Sequence, residues 1–164
     1  MKLYFQDQRK LFPFLKTVDI RDEDGNVRYR VKMDKSLHAG LRLNLLDAYD
    51  EKIAFIRQKL MTIAPKFFIE TNGEQRTVSL KRPLKGGAHC ESKETGWRTE
   101  GDLIHRNYEI KDGEQQLARI QKVLSGEQQC CGIDLSDDAN ETEVLTFIIA
   151  IEAILSVDSG GYSP

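Results

Sequence analysis

VLTFIIAIEAIL, residues 144–155, decides how the rest of the chain must be arranged. It holds one Thr and one Glu among Val, Leu, Ile, Phe and Ala. No polar stripe runs along it at helical spacing, and a helix that is apolar on every side has to be surrounded by protein or by lipid. The run is shorter than the roughly 20 apolar residues that span a bilayer, and Glu152 sits inside it. These features predict a buried central helix. Asn140 can cap it, with Glu143 three residues on to close a capping box. Asp134, Asp137, Asp138 and Glu141 suit the positive end of its dipole. Ser156 and the paired glycines Gly160 and Gly161 mark the stop. The expected helix covers about residues 141–157 of a single domain over 1–157, with 158–164 as a flexible tail.

The remaining residues must wrap that helix. A chain of 164 residues suits one domain with a substantial core. Net charge is −2, so bulk charge gives no reason to expect a nucleic-acid partner. The start, MKLYFQDQRK, lacks the apolar stretch and cleavage site of a secretory signal. Three cysteines, Cys90, Cys130 and Cys131, make an odd count without framework spacing. They point to free thiols in a reducing, cytoplasmic setting.

Outside the helix the pattern is one of strands. Residues 2–6 alternate, Arg9, Lys10 and Pro13 mark a turn, and 14–22 alternate loosely. Glu23 to Asn26 is a turn. Val27, Tyr29, Val31 and Met33 then face one way, with Arg28, Arg30 and Lys32 the other. Further strands are expected at 40–46, 53–60, 66–71, 75–82, 97–102, 107–111, 115–123 and 129–134. Four segments resemble one another: DIRDEDGNVRYRVK, NLLDAYDEKIAFIRQK, FIETNGEQRTVSLK and YEIKDGEQQLARIQK. Each is an apolar strand, an acidic or Asn-Gly turn, and a second strand closed by a lysine: Lys32, Lys59, Lys81 and Lys122. A repeated hairpin predicts an antiparallel meander. Residues 83–95 form the longest irregular segment and are expected to be a mobile loop.

A sheet of about a dozen strands can curl and close, which removes its edges and leaves room inside for a helix. The expected fold is therefore mainly β with one long helix, a closed antiparallel β-barrel around a buried hydrophobic C-terminal helix. Arg28, Arg30, Lys32, Arg42, Arg57 and Lys81 would face outward. The competing arrangement, two sheets with the helix on one side, would wet one face of the helix.

The repeated hairpins, the segment Trp97 to Asp102 and the closing apolar helix together resemble the LURP-one-related proteins. Those group with the tubby C-terminal domain and the phospholipid scramblases. VDIRDEDGNVRYRVK, IAFIRQKLMTIAPKFFI and FIIAIEAIL carry the similarity, which runs from about Leu3 to Leu155. The resemblance implies a tubby-like barrel of about twelve strands around a C-terminal helix. It also implies a domain without catalytic residues whose tubby relatives bind phosphoinositide head groups through basic surface side chains. The calcium segment and lipid anchor of the scramblases have no match here.

The chemistry is sparse. His89-Cys90 and Cys130-Cys131 are adjacent pairs, and neighbours on a strand point to opposite faces, so neither pair suits one metal ion. No metal and no cofactor are expected. Cys130 or Cys131 reads as a small core hydrophobe. The histidines His38, His89 and His105 lie near loops with no nucleophile signature. Glu152 is costly in an apolar helix unless it meets a cation. A pairing with an inward Arg or Lys, or a place near the barrel mouth, is favoured over a polar group in a cavity. Arg57, Lys59, Lys66, Lys81, Arg82 and Lys85 fall at two neighbouring hairpin ends and could form a patch for a phosphorylated head group. The plainer reading is a solvated face neutralised by Glu51, Glu70 and Glu74, which a net charge near zero favours.

The expected function is binding of an anionic ligand such as a phospholipid head group, or of a protein partner, on the barrel surface. The location would then be cytoplasmic, peripheral at a membrane. The alternatives are an enzyme with a small pocket near Glu152, His105 or Cys131, and a pure protein-interaction scaffold.

Overall fold

The structure is a computed structural model that describes residues 1–7, 11–12, 16–34 and 40–158. The expected turn at Arg9, Lys10 and Pro13, the residue His38, and the tail beyond Asp158 with its glycines lie outside the described residues. The strands in chain order begin with β1 Lys2–Gln6, β2 Thr17–Arg21, β3 Val27–Met33 and β4 Arg42–Asp47. Next come β5 Lys52–Gln58, β6 Lys66–Thr71, β7 Glu74–Lys81 and β8 His89–Glu91. The last four are β9 Trp97–Asp102, β10 Asn107–Asp112, β11 Gln115–Ser125 and β12 Gln128–Leu135. The helix α1, Glu141–Val157, follows.

Each strand pairs antiparallel with its sequence neighbours, and β1 pairs with β12 to close the barrel. Closure uses the register Leu3 against Ile133 and Phe5 against Cys131, all four of which face the core. The same parity runs round the sheet. Val31, Leu43, Leu45, Ile56, Phe67, Val78, Leu80, Ile110 and Ile120 point inward, and the residues between them point out.

The helix fills the interior. Every residue from Val144 to Ser156 is buried, Thr146 and Glu152 included. An apolar rod with no wet face is satisfied only by a wall on all sides, which the closed sheet supplies. Contacts along α1 fix its direction through the barrel. At its start, Glu141 meets the Tyr29 hydroxyl at 2.5 Å and Glu143 meets Arg76 at 2.9 Å. Trp97 packs edge-on against Phe147, centroids 5.8 Å apart. At its end, the Phe12 N–H donates to Ser156 Oγ at 3.2 Å, and Arg82 pairs with Asp158. The Asn140 side chain accepts from the Glu143 N–H at 3.1 Å. The capping box is only half formed, because the Glu143 carboxylate turns to Arg76 instead.

Two expectations are corrected. Residues 83–95 are not wholly irregular, since they contain β8, which pairs with both β7 and β9. The polar composition of this stretch hides one buried apolar residue, Cys90, whose N–H donates to Thr99 Oγ1 at 2.9 Å. A closed wall needs a strand there, and three residues suffice. The strand expected over 53–60 ends at Gln58, and residues 60–65 form the connection to β6.

Because the barrel is an up-and-down meander, the second strand of every repeated hairpin runs the same way. The closing lysines Lys32, Lys59, Lys81 and Lys122 therefore gather toward one end, where α1 finishes.

Candidate functional site

That end is where the structure places the basic residues. Arg42 on β4 stands directly opposite Arg57 on β5, and Arg57 directly opposite Phe68 on β6. The Arg57 guanidinium lies over the Phe68 ring, 4.3 Å from its centroid, and the Lys59 ammonium is 5.8 Å from the same ring. The Lys59 N–H donates to the Lys66 carbonyl at 2.8 Å, which sets those two residues side by side. Lys66 faces Ser79, two residues before Lys81. All share the outward parity of the wall.

Arginines opposite each other on adjacent strands repel. Elsewhere on the barrel such charge is compensated. Arg21, Arg28, Arg30, Arg76, Arg98 and Arg119 each meet a carboxylate. Among the described residues Arg42 and Arg57 are the two arginines that do not, and Lys59, Lys66, Lys81 and Lys85 have no ion pair either. The Arg42 Nε is also buried without a hydrogen-bond partner. The carboxylates expected to neutralise this face are elsewhere. Glu51 and Glu74 sit at the turns of the opposite end, Glu70 lies toward that end of β6, and Glu74 pairs with Arg76.

Arg82 behaves differently. One step past Lys81 it has the inward parity, and it reaches over the barrel mouth to the carboxylate of Asp158, the residue capping α1. Lys59 and Arg82 both line a depression of about 270 Å³ between residues 59–65 and the helix end. Lys85 follows in the exposed connection to β8.

Beneath the mouth lies a buried charge cluster. Arg106, in the turn after β9, adopts φ +49° and turns its side chain inward. Its Nε and Nη2 donate to Glu152 at 3.0 and 2.8 Å, and its Nη1 donates to Asp7 at 3.1 Å. Arg106 and Glu152 are essentially inaccessible, and Asp7 is nearly so. Burial opposes the Arg106 charge, but Glu152 and Asp7 beside it more than restore it. Glu152 is thus a paired structural carboxylate, as its place in an apolar helix requires.

The residues considered for catalysis do not meet. His105 is exposed, with its Nδ1 2.6 Å from Asp102. Cys131 faces the core, and burial followed by the nearby Glu152 charge pushes its thiol up, away from the thiolate. Cys90 is buried and raised in the same way, first by burial and then by Asp158. Among the described residues no hydrogen bond joins any two of Glu152, His105 and Cys131. No group of His, Cys, Asp and Glu side chains there is arranged to hold a metal ion.

Two residues at this end escaped sequence reasoning as partners. Arg42 was legible as outward, but its position opposite Arg57 depends on the register shift after Leu45. Arg106 carried no signal beyond its place in the polar turn between two strands.

A closed antiparallel barrel of twelve strands threaded by an apolar C-terminal helix, with two facing arginines on one wall that lack a carboxylate partner among the described residues, defines the class of fold and site. The LURP-one-related family model matches residues 2–152, and the chain belongs to that family. The uncharacterized protein YxjI of Bacillus subtilis (strain 168) is 24% identical over 115 residues, 70% of each chain. An X-ray structure of the Arabidopsis thaliana protein AT5G01750 superimposes with a TM-score of 0.63. It is 13% identical and covers 93% of this chain and 90% of its own, a likeness of fold.

Proposed function

We propose that this domain binds an anionic, phosphate-bearing ligand, a phospholipid head group at a membrane surface, on the outer wall formed by β4 to β7. The observation that carries the reading is the facing pair Arg42 and Arg57, which lacks any carboxylate partner among the described residues. Two arginines at facing positions of adjacent strands, with no carboxylate partner among the described residues, favour an anion held near them. Phe68 fixes one of them by stacking, and Lys59 and Lys66 extend the charge toward the barrel end. The resemblance to the tubby-like domains points the same way. Among the described residues no helix is long and apolar enough to cross a membrane.

Flotation of the protein with phosphatidylcholine vesicles, with and without phosphoinositide, tests this. The expected result is binding only to the anionic vesicles, weakening as salt screens the contact. Arg42→Gln with Arg57→Gln should lower that affinity by about tenfold or more. Equal recovery with both vesicle types at low salt would refute the reading.

A further inference from the structure

The large apolar side chains that stand in solvent are not scattered. Leu60, Met61 and Ile63 lie between β5 and β6, Leu84 between β7 and β8, Ile104 between β9 and β10, and Leu124 beside the β11–β12 turn. The meander brings all four connections to the end where α1 finishes. Met61, Ile63 and Leu84 are fully exposed, and Met61 is held at φ +60°. Of the other described apolar residues, only Met1 and Tyr49 are comparably exposed, and both sit at the opposite end.

Isolated exposed hydrophobes are ordinary, but six on the connections of a single rim are not. The company they keep identifies the occupant. Lys59 precedes Leu60, Lys85 follows Leu84, and Lys66 and Lys81 stand at the adjoining strand ends, none with a carboxylate partner. Interface cores between proteins are depleted in lysine. Apolar tips interleaved with unpaired lysines match an anionic bilayer, where the tips enter the acyl boundary and the ammonium groups remain among head groups.

We infer that the rim formed by residues 59–65 and 82–88 inserts into an anionic membrane surface, so that the barrel stands on the bilayer with the C-terminal end of α1 facing it. The inference rests on the head-group reading above and adds an apolar contact and an orientation to it.

Tryptophan placed at the rim reports both. The native Trp97 lies at the opposite end and serves as an internal blank. On vesicles of phosphatidylcholine with phosphatidylserine and phosphoinositide, Ile63→Trp and Leu84→Trp should shift their emission to the blue. Brominated acyl chains should quench them, while the unaltered protein and Tyr49→Trp should stay unquenched. Ile63→Gln with Leu84→Gln, both at fully exposed sites, should unfold at the wild-type temperature yet bind about tenfold more weakly. Binding that survives with no quenching at either rim position overturns the insertion and leaves the head-group site standing. Absence of binding to these vesicles overturns both. Concentration-dependent self-association without lipid, lost in the double Gln variant, would assign the rim to a second copy of the chain instead.

Discussion

At the scale of single residues, the interior is organised round one charge. Arg106 answers Glu152 and Asp7 together, so the two ends of the pair are not equivalent. Arg106→Met strands the Glu152 carboxylate and leaves Asp7 with Lys122 at 3.5 Å, whereas Glu152→Met leaves Arg106 with Asp7. Breaking a buried pair from one side costs about 3–5 kcal/mol. In urea unfolding Arg106→Met should therefore be the more damaging change, and the double Met variant should cost less than the sum of the singles. Additive losses would show that the pair is not coupled. A second residue gives a pH handle. Burial acts to raise the Glu94 carboxyl, but hydrogen bonds from the Thr77 N–H and hydroxyl, at 3.0 and 2.9 Å, outweigh it and leave the group lowered. A carboxyl lowered on folding adds stability above its ordinary range and loses it as pH falls through the lowered value. Glu94→Gln should therefore lower the thermal midpoint at neutral pH, and the difference should narrow as pH falls below the ordinary carboxyl range. A gap that stays constant with pH would sink this account.

At the scale of elements, legibility followed periodicity. The strands at 27–33 and 107–111 were readable because apolar and polar residues alternate there without interruption. The strand β8 was not, because three residues between a Gly-Gly pair and a polar turn offer no period, only the single buried Cys90. The helix was legible throughout its length, since nothing else tolerates such a run. Its charged partner was not, because Arg106 reaches Glu152 from a turn 46 residues away. The basic cluster was legible as hairpin ends. That its neutralising carboxylates sit at the far end required strand direction, which sequence spacing alone does not give. One glycine records how tightly neighbouring strands run. Gly101 has φ +116°, and a Cβ there would come within 2.6 Å of the Asn107 carbonyl oxygen. Gly101→Ala should destabilise the β9–β10 pairing by about 1–3 kcal/mol. A wild-type unfolding midpoint for that variant would show that the strands can part without penalty.

At the scale of the whole molecule, the barrel is polarised. One end keeps its arginines in ion pairs and the start of the helix in polar contacts, and the other presents the two described arginines without a carboxylate partner and most of the bare apolar tips. The closing seam has a separate consequence. Lys2 lies against Asp134, and the Met1 amino group donates to the Leu135 carbonyl at 3.2 Å. The first strand of this barrel must wait during synthesis for its twelfth, and the greasy core arrives later still. Until residues 128–157 have left the exit tunnel, a nascent chain offers unpaired strand edges around an empty centre. Exposure while it is being made, rather than fragility once closed, is the cost of joining the first and last strands of the barrel into one wall.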